Sequence, residues 1–315
     1  MPKQKKKGNS TETRGRKKVT YSTEELERQP MLVLVCGETG VGKSYRNLIE
    51  IDRYMKGNPE THRKGRKVLA FDVNDDDYTA FKTVKPSLIQ NLTAIRARRI
   101  RPITEHGQMM SLDEKREVVE QMVNRFKNGL LVFDDIDKYL VRAKGQSVIG
   151  TLVSNRHSGL DIMISHQSIA KISTSEWENC TWLRLHRQND NVSRYENRIP
   201  NFFLVCIATF IVNEQYDLAN DALRSGEIDA EAYKIRRSFY VYVNMRALRI
   251  RGASKAAFIR ATQKYVQKHE NREINYLLSE KNIDGSPKYP NRKSVLIHLV
   301  MKYLRHHEEA SNSAF

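Results

Sequence analysis

The sequence has few of the features that cross-link a chain or hold it in a membrane. Its three cysteines, Cys36, Cys180 and Cys206, are odd in number and form no Cys-x-x-Cys pair, so neither a disulfide framework nor a zinc site is indicated. The longest uninterrupted apolar run, from Phe202 to Val212, is too short to cross a bilayer, and the N-terminus has no apolar signal region. We therefore expect a cytoplasmic protein without a transmembrane segment, in a reducing compartment.

Negative charge is also scarce. The 315 residues hold 54 Lys and Arg against 37 Asp and Glu, a formal net charge of +17, which points to a polyanionic partner, either nucleic acid or an acidic membrane surface. Residues 1–18 alone carry six Lys and two Arg against Glu12, a net charge of +7. We predict that residues 1–28 form a disordered basic arm followed by a short helix. The alternative is a solvated tail that only raises solubility.

A phosphate-binding motif follows the first apolar strand. The run from Met31 to Cys36 predicts a buried strand, and the next residues, GETGVGKS, match G-x-x-x-x-G-K-[ST]. Glycines let backbone N–H groups converge on phosphate oxygens, the lysine reaches the β- and γ-phosphates, and the serine hydroxyl can ligate Mg²⁺. A helix after the loop would point its dipole at the anion. The predicted nucleotide-binding residues are Gly37, Glu38, Thr39, Gly40, Val41, Gly42, Lys43, Ser44 and Tyr45.

A second apolar strand ends in two carboxylates. Leu130 to Asp135 reads LLVFDD, the Walker B pattern, which predicts that Asp134 and Ser44 hold Mg²⁺ while Asp135 polarises the attacking water. The acids of residues 75–77 follow another apolar strand, at residues 67–73. They either line the nucleotide crevice at the strand ends or form a solvated turn.

Gln167 follows a further short apolar strand, Leu160 to Ser165. In ATPases of this general design, a polar residue at the end of the strand after Walker B senses the γ-phosphate. We predict that role for Gln167. The alternative is an amide that only binds the backbone of its own loop.

The motif order GETGVGKS, LLVFDD and RHSGLDIMISHQS resembles the FtsK/HerA branch of the P-loop ATPases that have an additional strand. Within that branch the chain is most similar to viral genome-packaging ATPases, with the Zot-like assembly ATPases of filamentous phages as relatives. The resemblance covers residues 32–187. It implies that Arg156 acts on the nucleotide of the neighbouring subunit, with Arg142 as the second candidate. It also implies catalytic roles for Lys43, Asp135 and Gln167.

The chain departs from the family pattern at two places. Asp135 stands where the family has Glu, which shortens the reach of the carboxylate toward water. The family has Thr-Gln-Arg-Pro after the sensor strand, whereas this chain has Ser165-His166-Gln167-Ser168, so only the glutamine carries over.

Basic side chains recur in two further segments. In the first, predicted to be an extended edge segment, arginines interleave with isoleucines; in the second, a helix capped by Ser254, basic residues recur every four positions. Both groups suit a nucleic-acid backbone, and in each case the alternative is an ordinary solvated face. The residues are Arg96, Arg98, Arg99 and Arg101 in the first segment, and Arg260, Lys264 and Lys268 in the second.

These features predict an α/β fold. We expect a RecA-like P-loop ATPase core with a mainly parallel central sheet over residues 29–252, preceded by the basic arm and followed by a C-terminal helical extension over residues 253–315. The apolar run from Phe202 fits either a buried helix or a strand, because its periodicity does not distinguish them.

The predicted function is a nucleic-acid translocase that hydrolyses ATP with Mg²⁺, most similar to a viral genome-packaging ATPase. It would assemble as a homo-oligomeric ring, because an arginine that acts in trans requires a neighbour. Its other partners would be nucleic acid, with DNA favoured, and a capsid or portal-vertex protein, in the host cytoplasm or the virion. The alternatives are a Zot-like phage extrusion ATPase and a nucleic-acid-binding structural virion protein with a vestigial ATP site. A GTPase is disfavoured because the sequence has no Asn-Lys-x-Asp motif.

Overall fold

The computed structural model describes residues 30–58, 63–135 and 159–309. A ten-stranded sheet with helices on both faces dominates it. The strands are β1 (Leu32–Cys36), β2 (Gly57–Asn58), β3 (Arg63–Lys64), β4 (Lys67–Phe71), β5 (Lys82–Thr83), β6 (Ala97–Ile100), β7 (Gly129–Phe133), β8 (Leu160–His166), β9 (Trp182–Leu185), β10 (Val241–Asn244), β11 (Arg249–Arg251) and β12 (His307–Glu308). The α-helices are α1 (Lys43–Lys56), α2 (Leu112–Arg125), α3 (Thr174–Asn179), α4 (Phe202–Arg224), α5 (Ala230–Arg237), α6 (Lys255–His269), α7 (Asn271–Ser279) and α8 (Arg292–Tyr303).

The sheet order is β12-β11-β10-β9-β1-β8-β7-β4-β6-β5, and β2 pairs with β3 separately. All strands from β9 to β5 are parallel, whereas β10 and β11 form an antiparallel hairpin at the side of β9. Strand β8 lies between β1 and β7, so that Met163 is in register with Val33 on one side and Val132 on the other. This is the predicted mainly parallel α/β fold, with the additional strand between the two motif-bearing strands.

Strand β1 is buried on both faces, which explains its continuous apolar sequence. Val33 and Val35 belong to one hydrophobic cluster with Ile51 and Tyr54 of α1. The alternate residues Leu32, Leu34 and Cys36 belong to a second cluster on the opposite face, which α2, α4 and α6 cover. The carboxyl end of β1 is therefore held between two packed layers, and the loop that follows it starts from a rigid position.

Ser111 and Glu114 have the spacing of a capping box in the sequence, and helix α2 begins there. The Glu114 backbone N–H donates to the Ser111 hydroxyl over 3.3 Å, and the Ser111 N–H donates to the Glu114 carboxylate over 2.7 Å. The helix buries Val119, Met122 and Val123 against the sheet. These residues recur at helical spacing and form one apolar stripe along α2.

The apolar run from Phe202 to Val212 is the first half of helix α4, which settles the choice between helix and strand. With 23 residues, α4 extends beyond this run, and by length and composition alone it is long and apolar enough to cross a membrane. Half of its most apolar window is buried inside the domain. The buried side chains include Leu204, Val205 and Ile211, which lie in the same cluster as β1. In this structure α4 is a core helix.

Two further observations refine the expected layout. Phe258, Ile274 and Leu299 of the C-terminal segment belong to the hydrophobic cluster of the sheet, and β12 pairs with β11, so the described part of the extension shares the core of the domain. The basic segment of β6 is not an edge strand as expected, because β5 pairs along it.

Candidate functional site

The phosphate loop connects β1 to α1. Gly40 and Gly42 both have a φ of +82°, and a Cβ added to Gly42 would lie only 2.7 Å from the Cβ of Ser238, so the loop needs glycine there for two reasons. The Lys43 side chain is buried beneath the loop, and its Nζ donates to the carbonyl oxygens of Gly37 over 2.7 Å and of Glu38 over 2.9 Å. The ammonium group therefore lies inside the concave side of the loop.

Burial lowers the pKa of Lys43, and the nearby guanidinium of Arg184 adds to this effect. The carboxylates of Asp134 and Asp135 act in the opposite direction. The site thus holds a buried cation beside two buried carboxylates, which is the charge arrangement expected of a site for a nucleotide and a divalent cation.

Ser44 and Asp134, the predicted metal ligands, lie together. The Ser44 hydroxyl donates to Asp134 Oδ2 over 3.1 Å, and the same oxygen accepts from Tyr78 Oη at 3.0 Å and Asn47 Nδ2 at 3.3 Å. The Asp77 carboxylate also interacts with Ser44 and Asp134. Burial and the charge of Asp134 raise the pKa of Asp77, and a hydrogen bond with Ser44 offsets part of that rise. The predicted ligand atoms, the Ser44 hydroxyl and the Asp134 carboxylate, are oxygens, which suits Mg²⁺.

Asp135 and Gln167 are brought together at the ends of neighbouring strands. Gln167 Nε2 donates to Asp135 Oδ1 over 3.0 Å, and Asn74 Nδ2 donates to Asp135 Oδ2 over 3.3 Å. The Asp135 backbone has a φ of +48°, in the left-handed region that non-glycine residues rarely adopt. This turn directs the carboxylate toward β8, and the predicted sensor residue is hydrogen-bonded to the predicted catalytic carboxylate.

The sequence analysis did not identify Asn47, Tyr78 and Arg184 as residues of the site. Buried Asn47 donates to Tyr78 Oη over 3.1 Å and to Ser165 Oγ over 3.3 Å, besides its contact with Asp134. Its carbonyl oxygen accepts from the guanidinium of Arg184, which is fully buried and also donates to the Lys43 carbonyl over 3.3 Å. Two signals were present in the sequence: Asn47 stands one helical turn after Ser44, and Arg184 is a charged residue inside an apolar strand.

The other residues of the phosphate loop have different environments. The Glu38 carboxylate accepts from the Arg187 guanidinium and the Asn189 amide, and its own N–H donates to the Arg187 carbonyl over 3.1 Å. Glu38 thus ties the loop to the segment after β9. Thr39 is exposed and Val41 is buried. The ring of Tyr45, the first residue after the motif, is half-exposed. Nucleotide contact by these residues stays a prediction.

The predicted nucleic-acid contacts fall into two separate places. Near β6, Arg99 forms ion pairs with Asp72 and Asp75, and Arg101 forms one with Asp75. Arg96 is exposed, and Arg98 donates to its neighbouring carbonyl at Ala97 over 2.9 Å. Intrachain carboxylates therefore hold Arg99 and Arg101, and Arg96 is the more accessible contact of this group.

On α6, Arg260 and Lys264 both pair with the single carboxylate of Glu214. These three side chains together therefore carry one excess positive charge. The Lys268 ammonium lies 5.9 Å from the centre of the Phe210 ring. Helix α6 packs on α4, on the half of the sheet that holds β9 to β12, whereas β6 is near the other end. The two basic groups thus belong to different parts of the domain. Arg142, Arg156 and the basic arm lie outside the described residues, so their roles stay predictions.

The family model described as zonular occludens toxin (Zot) matches residues 31–193, about half of the chain. No match is found among curated proteins. Among solved structures, the genome packaging NTPase B204 from Sulfolobus turreted icosahedral virus 2 in complex with ATP-gammaS is 15% identical, with a TM-score of 0.41, covering 70% of this chain and 95% of that one. The DNA-packaging ATPase B204 from Sulfolobus Turreted Icosahedral Virus is 15% identical, with a TM-score of 0.40, covering 71% and 97%. The N-terminal domain of zonular occludens toxin from Neisseria meningitidis is 12% identical, with a TM-score of 0.33, covering 51% and 79%.

Proposed function

The chain belongs to the Zot family of P-loop NTPases and is an ATPase, and on that premise we propose that it is a viral genome-packaging ATPase that moves nucleic acid as a homo-oligomeric ring. The observation that carries the proposal is the hydrogen bond from Gln167 to Asp135. It links the carboxylate that would activate water to strand β8, which lies between the strands of both motifs. A change at the γ-phosphate can thus be passed to the sheet.

Each group of the site has a role in this proposal. The loop N–H groups and Lys43 bind the phosphates, and Ser44 and Asp134 hold Mg²⁺. Bound there, Mg²⁺ would neutralise charge that develops on the phosphate oxygens. Asp135 orients and polarises the attacking water, and Gln167 responds to the state of the γ-phosphate.

The nucleic-acid part of the proposal rests on charge. The net charge of +17 and the two basic groups on β6 and α6 suit phosphate contacts without base reading. Such binding weakens steeply with salt. Because Arg99 is held by Asp72, we expect that replacing the exposed Arg96 weakens DNA binding without affecting folding, whereas replacing Arg99 mainly affects folding.

The ring follows from the predicted role of Arg156 on the nucleotide of a neighbour. The experiment measures ATP hydrolysis with and without single- and double-stranded DNA for the wild type, Lys43→Ala, Arg156→Ala and a mixture of the two variants. Arg272→Ala, an exposed arginine on α7, is the control. We expect DNA to stimulate turnover, each variant to lose it, and the mixture to regain it, because a Lys43→Ala subunit still supplies Arg156 to its neighbour.

The other outcomes separate the alternatives. A mixture that stays inactive would refute the action of Arg156 across an interface. No turnover under any condition, with salt-dependent DNA binding intact, would identify a nucleic-acid-binding structural protein with a vestigial site.

A second candidate, a Zot-like phage assembly and extrusion ATPase, is favoured by the family match itself. That function places the protein at a membrane, and α4 has the length and composition of a membrane span. Flotation of the full-length chain with lipid vesicles distinguishes the two. Stable flotation at high salt would favour extrusion, whereas recovery in the soluble fraction favours packaging.

A further inference from the structure

The strand order divides the surroundings of the phosphate loop into two sides. Strands β8 and β7, on one side of β1, carry Gln167, Asp134 and Asp135 at their ends. A phosphate-loop lysine and serine serve the β- and γ-phosphates and their metal, and Ser44 is bonded to Asp134 on this side. The terminal phosphate therefore faces β8 and β7. The nucleoside of a bound nucleotide must leave the loop on the other side, toward β9 and β10.

On that side, the last residues of α5 are fixed against the loop. The guanidinium of Arg46 donates to Ser238 Oγ over 3.1 Å and to the Ile235 carbonyl over 3.3 Å. The Arg237 guanidinium donates to the Gly40 carbonyl at the tip of the loop. The side chain of Ser238 lies directly beside Gly42. These contacts hold residues 235–238 at one position relative to the phosphate loop.

Two large apolar side chains border this junction and remain half-exposed. The Tyr45 ring is 50% exposed and Ile235 is 51% exposed. Arg46 connects them, because its guanidinium carbon lies 5.4 Å from the centre of the Tyr45 ring and the same group binds the Ile235 carbonyl. A flat aromatic face beside an aliphatic side chain and guanidinium groups is the chemistry that holds a purine ring, by stacking and apolar contact.

We propose that Tyr45 and Ile235 form the base-binding surface of the nucleotide site, held in place by Arg46 and Arg237. The segment that ends α5 thereby becomes part of the nucleotide site, although it lies far beyond the sequence motifs. The inference rests on the proposed function only in taking ATP as the substrate.

The test compares ADP with inorganic tripolyphosphate, which has the phosphates but no nucleoside. Binding of each to the purified full-length chain is measured by calorimetry in Mg²⁺. We expect Tyr45→Ala and Ile235→Ser each to weaken ADP binding by about tenfold and to leave tripolyphosphate binding unchanged. Tyr45→Phe keeps the ring and should bind ADP like the wild type. Tyr276→Ala removes a comparably exposed tyrosine on α7 and serves as the control.

Two results would overturn the proposal. Equal losses for ADP and tripolyphosphate would mean that the two side chains support the loop rather than the base. Unchanged ADP binding in both variants would place the base elsewhere. Neither measurement uses nucleic acid or turnover, so failure here is distinct from failure of the proposed translocase, which depends on DNA-stimulated hydrolysis.

Discussion

Replacing Asn47 with alanine removes the side chain that joins the metal ligand Asp134 to the sheet. The amide group of Asn47 donates to Asp134, Tyr78 and Ser165, and its oxygen accepts from Arg184. The hydroxyl oxygens of Tyr78 and Ser165 accept in these contacts, so each loses only one donor. The buried Arg184 guanidinium loses an acceptor, and its Nη2 group keeps only the 3.3 Å bond to the Lys43 carbonyl. The charged donor therefore sets the size of the loss.

A hydrogen bond to a charged group contributes about 1.5–3 kcal/mol, and leaving the buried donor without its acceptor adds a desolvation cost of similar order. The small cavity adds a further packing loss. We expect the free energy of unfolding to fall by about 3 kcal/mol, which lowers the Tm of a domain of this size by about 6–12 °C.

Thermal and urea denaturation of Asn47→Ala test this value, with Asn282→Ala as the control because Asn282 is exposed. The control should stay within about 0.5 kcal/mol of the wild type. ADP binding should weaken more in Mg²⁺ than in EDTA, because Asp134 loses one of its donors. A loss of stability no larger than that of the control would refute the role given to the Asn47–Arg184 contact.

Two further predictions concern the loop and a buried carboxylate. Gly42→Ala should lower the free energy of unfolding by about 1–3 kcal/mol and abolish ADP binding, because the new Cβ would clash with Ser238. Gly107→Ala is the control, because Gly107 has a similar φ of +78° but open space around it. An equal loss of stability for both variants in thermal denaturation would contradict the role of the clash with Ser238. Burial raises the pKa of Glu176, but the hydrogen bond and charge interaction with His166 and the hydrogen bonds with Ser173 together outweigh burial and hold the pKa below the usual 4.5. The stability that Glu176 contributes is therefore present above pH 4.5 and is lost as the pH falls through the lower folded pKa. Glu176→Gln should be less stable than the wild type near neutral pH, and urea denaturation from about pH 7 to pH 3 should show the difference shrinking; a constant difference would contradict it.

The sequence predicts the parts of this protein that short-range patterns control. The run from Met31 to Cys36 is apolar at every position because both of its faces are buried, so its strand and the phosphate loop after it could be identified directly. The capping box at Ser111 and Glu114 is a contact across three residues, and the structure contains it. Gln167 and Asp135 both follow apolar strands, and the structure brings them together because the ends of those strands meet at one edge of a parallel sheet.

Such short-range patterns do not predict two other features of the structure. The run from Phe202 fits a helix or a strand by composition, and only its packing between β9, β10 and α6 decides for the helix. The basic residues of β6 look like an exposed edge, but Asp72 and Asp75 approach Arg99 only after β4 and β6 have paired. Whether these arginines are free for a ligand depends on that pairing.

By itself, then, the sequence determines which segments are buried strands, where the phosphate loop and its acidic counterpart lie, and that the chain is strongly basic. These properties depend on hydrophobic periodicity and on turn and cap chemistry, which act over a few residues. Only the tertiary structure decides how Asn47 reaches Asp134, 87 residues away, and how Arg184 reaches Lys43, 141 residues away. Those contacts depend on the order of strands in the sheet, which is a property of the whole packed core and of no single segment.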